Sequence, residues 1–284
     1  MSAPFSSKVN LAEFRPGLCR ALELTDRQAA AAMIVVAHPD DETIGIGGHL
    51  AELSGPLVVH ATDGAPRDME DARGHGFSTR DGYASARRAE LEEAMREAGL
   101  SADALLQLGF VDQQAARHLP ALARKLAALF ENRKIRVVFT HAYEGGHPDH
   151  DAVAFAAHAA HRLVKRQGGR PPVVIDMPFY RAEAGQMITQ SFAPTPHMPG
   201  IVLPLSPAKC WAKQRMLACF RTQQKTLAPF QVDAERFRPA PAYDFAKLPD
   251  GTPLYDNFSW GLKGAEWMML ARAALAELGR EPCL

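Results

Sequence analysis

The sequence predicts an α/β protein: a mostly parallel, doubly wound, Rossmann-like sheet followed by an irregular C-terminal elaboration. Three observations carry this. Short apolar runs alternate with helical stretches up to about residue 180, the signature of βαβ units and a parallel sheet. Histidines and carboxylates cluster directly after two of those runs, where doubly wound folds place their sites. Beyond residue 180 prolines interrupt the pattern.

Taken in order, strands are expected at 33–37, 57–62, 104–110, 135–140 and 172–178, each a short apolar run. Helices are expected between them at 45–54, 83–99, 119–132 and 151–167. On the second helix Leu91, Ala94, Met95 and Ala98 form a core stripe, with Arg88 and Glu92 paired on the exposed side. The span 64–82 reads as a long polar loop, a length that points to function or disorder. Gly45-Ile46-Gly47-Gly48 departs from G-x-G-x-x-G and follows an acidic triplet that would repel a pyrophosphate. In the C-terminal part, prolines from Pro194 and Pro196 to Pro207 and again from Pro239 to Pro253 flank a helix at about 207–224, and a second helix closes the chain at 263–279. We read one domain, with a core at about 31–180 and an elaboration at 181–284 that could wall an active-site mouth. The aromatic cluster Tyr255, Phe258, Trp260 and Trp267 reads as packing.

The 284 residues, 47% of them hydrophobic, suffice for a sizeable core. Lys plus Arg equals Asp plus Glu at 32 each, which argues against a broad nucleic-acid or membrane footprint. No apolar run approaches membrane-spanning length and no secretory leader pattern opens the chain, so a cytoplasmic location is expected. Cys19, Cys210, Cys219 and Cys283 are scattered without a Cys-x-x-Cys, which suggests free or buried thiols. A homo-oligomer is compatible with all of this.

The most informative segment is Ala37-His38-Pro39-Asp40-Asp41-Glu42, at the exit of the first strand. Adjacent carboxylates in a partly desolvated place destabilise one another unless a cation compensates them. With no Lys or Arg close in sequence, a metal held by His38 and a carboxylate is the expected remedy; the plainer alternative is an acidic turn that caps a helix. A second loop, His141-Ala142-Tyr143-Glu144-Gly145-Gly146-His147-Pro148-Asp149-His150-Asp151, follows the fourth strand. If the two loops meet, His38, Asp41 and His150 supply two nitrogens and one oxygen and leave a position open for water, a catalytic zinc set. Fe(II) also suits it. Asp40 could then accept a proton from water, and His147, as imidazolium, could stabilise an oxyanion or protonate a leaving amine. Asp149 could orient His147 and raise its pKa. His158 and His161 lie two to three turns further along the helix and read as packed or surface residues.

These residues resemble a known family. His-Pro-Asp-Asp-Glu after one strand and His-Pro-Asp-His after a later one look like the signature of the LmbE-like, or PIG-L, deacetylases, over about residues 31–165. Thr62-Asp63-Gly64 and the helix Arg87-Arg88-Ala89-Glu90-Leu91 are weaker matches. The resemblance implies zinc on His38, Asp41 and His150, with Asp40 as general base and His147 as general acid or oxyanion partner. It also implies hydrolysis of an N-acyl, commonly N-acetyl, group from an amino sugar or glycoside. For substrate contacts, Arg67 is the first candidate and Arg80 the alternative; Asp112, beyond the third strand, and Tyr143, in the second loop, are the others. The alternatives are an amidase of a thiol conjugate or other N-acyl metabolite, and a non-catalytic metal- or glycan-binding module. Binding alone would need neither Asp40 nor His147.

Overall fold

The computed structural model describes residues 17–195 and 198–280. Nine strands are described: β1 Ala32–Val36, β2 Leu57–Pro66, β3 Leu105–Asp112, β4 Val137–His141, β5 Val173–Met177, β6 Tyr180–Glu183, β7 Gln186–Thr189, β8 Ile201–Pro204 and β9 Ala234–Pro239. Seven of them form one sheet in the order β3-β2-β1-β4-β5-β9-β8, and β6 and β7 form a separate hairpin. The strands from β3 to β5 are parallel, whereas β9 pairs antiparallel with both β5 and β8.

All residues of β1 and β4 are buried, because helices cover both faces of a parallel sheet; this is why Ala32–Val36 and the start of β4, Val137 to Phe139, read as apolar runs. Side chains alternate across the sheet. Met33 and Val35 of β1 enter one core layer, with Leu122, Phe155 and Trp267, while Ile34 and Val36 enter the other, with Leu91, Met95 and Met216.

The helices are α1 Gly17–Ala21, α2 Asp26–Ala29, α3 Asp41–Ile46, α4 Glu70–Gly74, α5 Arg80–Glu97, α6 Leu119–Asn132, α7 Pro148–Arg166, α8 Pro207–Cys219, α9 Gln224–Leu227 and α10 Gly264–Gly279. One layer is α6, α7 and α10; the other is α3, α5 and α8. Arg88 and Glu92 pair at 2.7 Å on the outside of α5, as expected.

The structure differs from expectation in several places. The helix expected near Gly45 begins at Asp41 and tightens into a 3-10 turn over Gly47–Glu52. Gly45 serves packing: a Cβ there would stand 2.7 Å from Met177 Sδ. The span 64–82 is no plain loop, since β2 runs to Pro66, α4 occupies its middle and α5 starts at Arg80. Pro148 at the first turn starts α7 earlier than the expected residue 151. The elaboration is also more than an appendage, because β8 and β9 extend the sheet beyond β5. No helix among the described residues is long and apolar enough to cross a membrane. Cys19 and Cys219 are buried and, like Cys210, form no disulfide among the described residues; Cys283 and Pro196 lie outside the described residues.

Candidate active site

Strand order reverses about β1, whose neighbours are β2 and β4. The two His/Asp loops leave the carboxyl ends of β1 and β4, so the topology brings them together. The first loop folds on itself: the His38 backbone N–H donates to Asp41 Oδ2 at 2.8 Å. Asp40 holds a φ of 134°, a left-handed conformation that costs on the order of 1–3 kcal/mol for a non-glycine residue. It stands at the N-cap of α3 but its side chain makes no capping bond.

Each carboxylate of the triplet has its own compensation. Glu42, fully buried, meets His60 Nε2 at 2.9 Å and accepts from Thr43 Oγ1 at 2.6 Å. Asp40 accepts from Arg87 at 3.1 Å. The same guanidinium donates to the Pro39 carbonyl at 2.7 Å and the Gly64 carbonyl at 2.9 Å. A cation therefore does reach the triplet, from α5 and far away in sequence. Gly64 makes room for it: its φ is +65°, and a Cβ would stand 2.9 Å from Pro39 and 3.0 Å from the guanidinium carbon. Asp41 instead faces imidazoles.

In the second loop, His147 is the N-cap of α7 and its Nδ1 accepts from the Asp149 backbone N–H at 3.1 Å. That leaves Nε2 as the ring's donor. The Asp149 carboxylate accepts from the backbone of Gln113 at 2.6 Å and Ala115 at 3.0 Å, pinning the exit of β3 to α7. Asp151 accepts from the Gly145 backbone at 3.0 Å and braces the glycine turn; burial pushes it up to about 8.

The loops meet around Asp41. His38 Nδ1 lies 3.4 Å from Asp41 Oδ2, and His150 Nε2 lies 3.4 Å from Asp41 Oδ1. His150 Nε2 is buried and has no hydrogen-bond partner among the described residues. Each separation is long for a hydrogen bond and near the spacing of two ligands on a tetrahedral ion with bonds of about 2.0–2.1 Å, although the two histidines face different oxygens of Asp41. Three overlapping groups are close enough to hold a cation: His38, His147 and His150; Asp41, His141 and His150; and His38, Asp112 and Asp149; the expected set of His38, Asp41 and His150 is divided between the first two and is not itself one of them. His38 Nε2 lies 3.0 Å from Asp112 Oδ1 and 3.5 Å from Asp149 Oδ2, so one imidazole face has a carboxylate shell like those that orient metal-binding histidines.

The electrostatics agree. Against its burial, His150 and His141 hold Asp41 well below the usual carboxylate range. Burial opposes charge on His38, yet Asp112, Asp149 and Asp41 carry it well above its ordinary value. This pocket draws positive charge onto itself, which a bound cation would satisfy in place of a proton. Burial raises Asp40 well above its usual value, with Arg87 pulling the other way. The cluster thus fits a divalent metal.

The cavity over the cluster is also lined by Ile44, Asp71, Arg87, Tyr180, Gln223 and Trp260. Several expected contacts are placed otherwise. Arg67 is exposed and outside the lining. Arg80 is an ion-pair partner of Asp63 and Asp81; the cation in the wall is Arg87. Tyr143 is core: its hydroxyl donates to the Lys247 carbonyl at 2.8 Å and its ring packs on Phe245 and Trp267. Asp112 does line the cavity, turned towards His38. Asp149 does not orient the His147 ring through its carboxylate, and burial together with His38 and His150 lowers His147 well below its ordinary value instead of raising it. Of the aromatic cluster, Tyr255 and Trp267 are core, but Trp260 lines the cavity 4.7 Å from the His147 ring and Phe258 stacks on Trp260 at 4.3 Å. His158 packs against Tyr243 and Phe245, and His161 meets the Pro172 carbonyl. Sequence reasoning missed Arg87, Asp71, Tyr180 and Gln223 as wall residues and read Trp260 as packing; Arg87 carried a signal as part of the helix motif, and Trp260 as part of an elaboration that could wall the mouth.

Residues 33–161 match the family described as PIG-L, GlcNAc-PI de-N-acetylase. No sequence match was found among curated proteins. Among solved structures, the chain is similar to A40926 pseudoaglycone deacetylase Dbv21, with 18% identity and a TM-score of 0.58 over 76% of this chain and 99% of that one. It is similar to the zinc-inhibited form of teicoplanin deacetylase Orf2, with 14% identity and a TM-score of 0.55 over 73% and 97%. It is also similar to N,N'-diacetylchitobiose deacetylase from Pyrococcus horikoshii, with 19% identity and a TM-score of 0.52 over 91% and 99%. At these identities the likeness establishes a shared fold.

Proposed function

Because the chain carries a PIG-L family domain across residues 33–161, we propose that it is a metal-dependent hydrolase that removes an N-acyl group, N-acetyl above all, from an amino-sugar derivative. The observation that carries the reading is His150 Nε2, buried, facing Asp41 and without a hydrogen-bond partner among the described residues, with Asp40 in the wall of the same cavity. The structural likeness to deacetylases of teicoplanin, A40926 pseudoaglycone and diacetylchitobiose supports it.

His38, Asp41 and His150 would hold the metal; two histidines and one carboxylate suit zinc, and also Fe(II). When bound, the ion would supply Lewis acidity and make a water molecule a far stronger acid at neutral pH. Asp40 takes the proton from the attacking water, held in place by Arg87 and by its constrained backbone. As the carbonyl carbon becomes tetrahedral, the Nε2–H of neutral His147 donates to the developing oxyanion. The proton on Asp40 then passes to the nitrogen as the C–N bond breaks, releasing a carboxylic acid and an amine. His147 acts here as a neutral donor, not as the imidazolium its sequence context suggests. Asp112 and Asp149 orient His38.

The test is release of free amine and acetate from N-acetylated sugars by metal-loaded protein, with Asp40→Asn in parallel. A chelated sample should lose activity and recover it with stoichiometric metal. A purely binding role would leave the Arg87-braced, conformationally strained Asp40 without a task.

A further inference from the structure

We propose that Glu42, tethered by His60, is a positioning residue: it holds Asp40 in its left-handed backbone conformation and so fixes where the Asp40 carboxylate stands in the cavity wall. This rests on the deacylation reading above, in which Asp40 is the base, and gives the third member of the acidic triplet a task in it.

The peptide that joins Pro39 to Asp40 is gripped at both edges. Its oxygen, the Pro39 carbonyl, accepts from Arg87 at 2.7 Å. Its N–H, on Asp40, donates to Glu42 Oε2 at 3.1 Å. The following peptide is fixed as well, because the Asp40 carbonyl accepts from the backbone N–H groups of Thr43 and Ile44 at 3.0 Å each. Peptides are rigid planes, so holding the planes on both sides of the Asp40 Cα holds its φ of 134°. The bonds from Thr43 and Ile44 come with any helix start; those of Arg87 and Glu42 are additional. A strained backbone persists only where its surroundings over-determine it.

Glu42 is itself held. The register of β1 with β2 pairs Val36 with His60, which brings the His60 ring to the first turn of α3. Its Nε2 lies 2.9 Å from Glu42 Oε2, the same oxygen that takes the Asp40 N–H, and Thr43 Oγ1 donates to Oε1 at 2.6 Å. Both side chains of the His60 and Glu42 pair are fully buried. His60 Nδ1 has no hydrogen-bond partner among the described residues. A proton there would be stranded, so the ring serves Glu42 as an Nε2–H donor. Asp41 has a separate hold, from the His38 N–H, and the clamp can be removed without withdrawing that carboxylate from the cluster.

A pair that served stability alone would be replaceable by two apolar side chains, often at little cost to the fold. The discriminating variant is therefore Glu42→Leu combined with His60→Leu. Metal content, kcat and KM for methyl N-acetyl-β-glucosaminide, and the Asp40 φ in a crystal structure are measured on the same preparation. The expected result is a folded, metal-loaded protein with KM little changed, kcat down about 10²-fold, and Asp40 out of the left-handed region. Glu42→Gln, whose amide oxygen can accept from both donors, should recover most of that kcat. Glu42→Met alone carries the same prediction as the double variant, should the latter fail to fold. A near-parental kcat, an unchanged Asp40 φ, no recovery in Glu42→Gln, or loss of metal overturns the proposal; the last would make Glu42 a support of Asp41. If the parent protein hydrolyses no N-acyl sugar, the deacylation reading fails and the crystal structure alone decides the clamp: a relaxed Asp40 upholds it, and an unchanged φ overturns it.

Discussion

Arg87 reaches from α5 to donate to Asp40 Oδ2 at 3.1 Å, while the same side chain bonds the carbonyls that flank the site at Pro39 and Gly64. One guanidinium thus fixes the carboxylate and both backbone segments beside it. A lysine cannot bridge three acceptors in a planar fork. Arg87→Lys should therefore fold and keep metal but lose on the order of 10²-fold in kcat through misplacement of Asp40. Arg87→Ala leaves a buried carboxylate uncompensated and should cost about 3–5 kcal/mol in urea denaturation. Unchanged kcat in Arg87→Lys would detach Arg87 from Asp40's role.

Metal retention is expected to depend on His150. His150→Ala should lose the ion on dialysis, read by elemental analysis, with the fold intact by circular dichroism. His141 stacks on His150 at 4.0 Å, but its Nε2 accepts the Ala37 backbone N–H at 2.9 Å. His141→Gln should accordingly retain metal. The reverse pattern would move the ligand set from His38, Asp41 and His150 to the neighbouring group that contains His141.

For His147, the expected loss lies in the transition state. An oxyanion donor acts only as charge develops, so His147→Ala should lower kcat by about 10²–10³-fold with KM little changed. A rise in KM at constant kcat would make His147 a ground-state binding residue.

Away from the site, His158 sets an acid limit on stability. Burial, with Arg162 and His161 adding to it, lowers its pKa to about 4 from an ordinary 6.5. The folded state holds it neutral while the unfolded chain takes up a proton below 6.5. The stabilisation is therefore complete above pH 6.5 and is lost as pH falls towards 4, by on the order of 3 kcal/mol at most. His158→Phe, beside Tyr243 and Phe245, should show a smaller fall in melting temperature across that range than the parent protein. An identical fall would assign the acid sensitivity elsewhere.

The pattern of legibility has physical causes. β1 and β4 were readable because two-sided burial demands continuous apolar runs, and the residues just after them because strand exits meet at a switch point. Arg87 was hidden as a partner of Asp40 because the contact spans two elements that only the fold apposes. Tyr143 looked like a site residue from its place in the second His/Asp loop, yet the chain turns its ring into the core against Trp267. Trp260 had the opposite fate: in a cluster of large aromatics packing is the favoured reading, and its irregular segment carries no periodicity to say which way it faces. Arg67 and Arg80 were nearest in sequence to the site, but Asp63 captured one and solvent the other.

The most direct measurement is acetate release from methyl N-acetyl-β-glucosaminide by parent protein and Asp40→Asn, each with metal content determined on the same sample. Asn keeps the side-chain shape and can still face Arg87, but cannot accept the water's proton. The account predicts metal-dependent turnover by the parent protein and a loss of about 10²–10⁴ in kcat for Asp40→Asn at equal metal occupancy. Near-parental turnover by Asp40→Asn at full occupancy would contradict it.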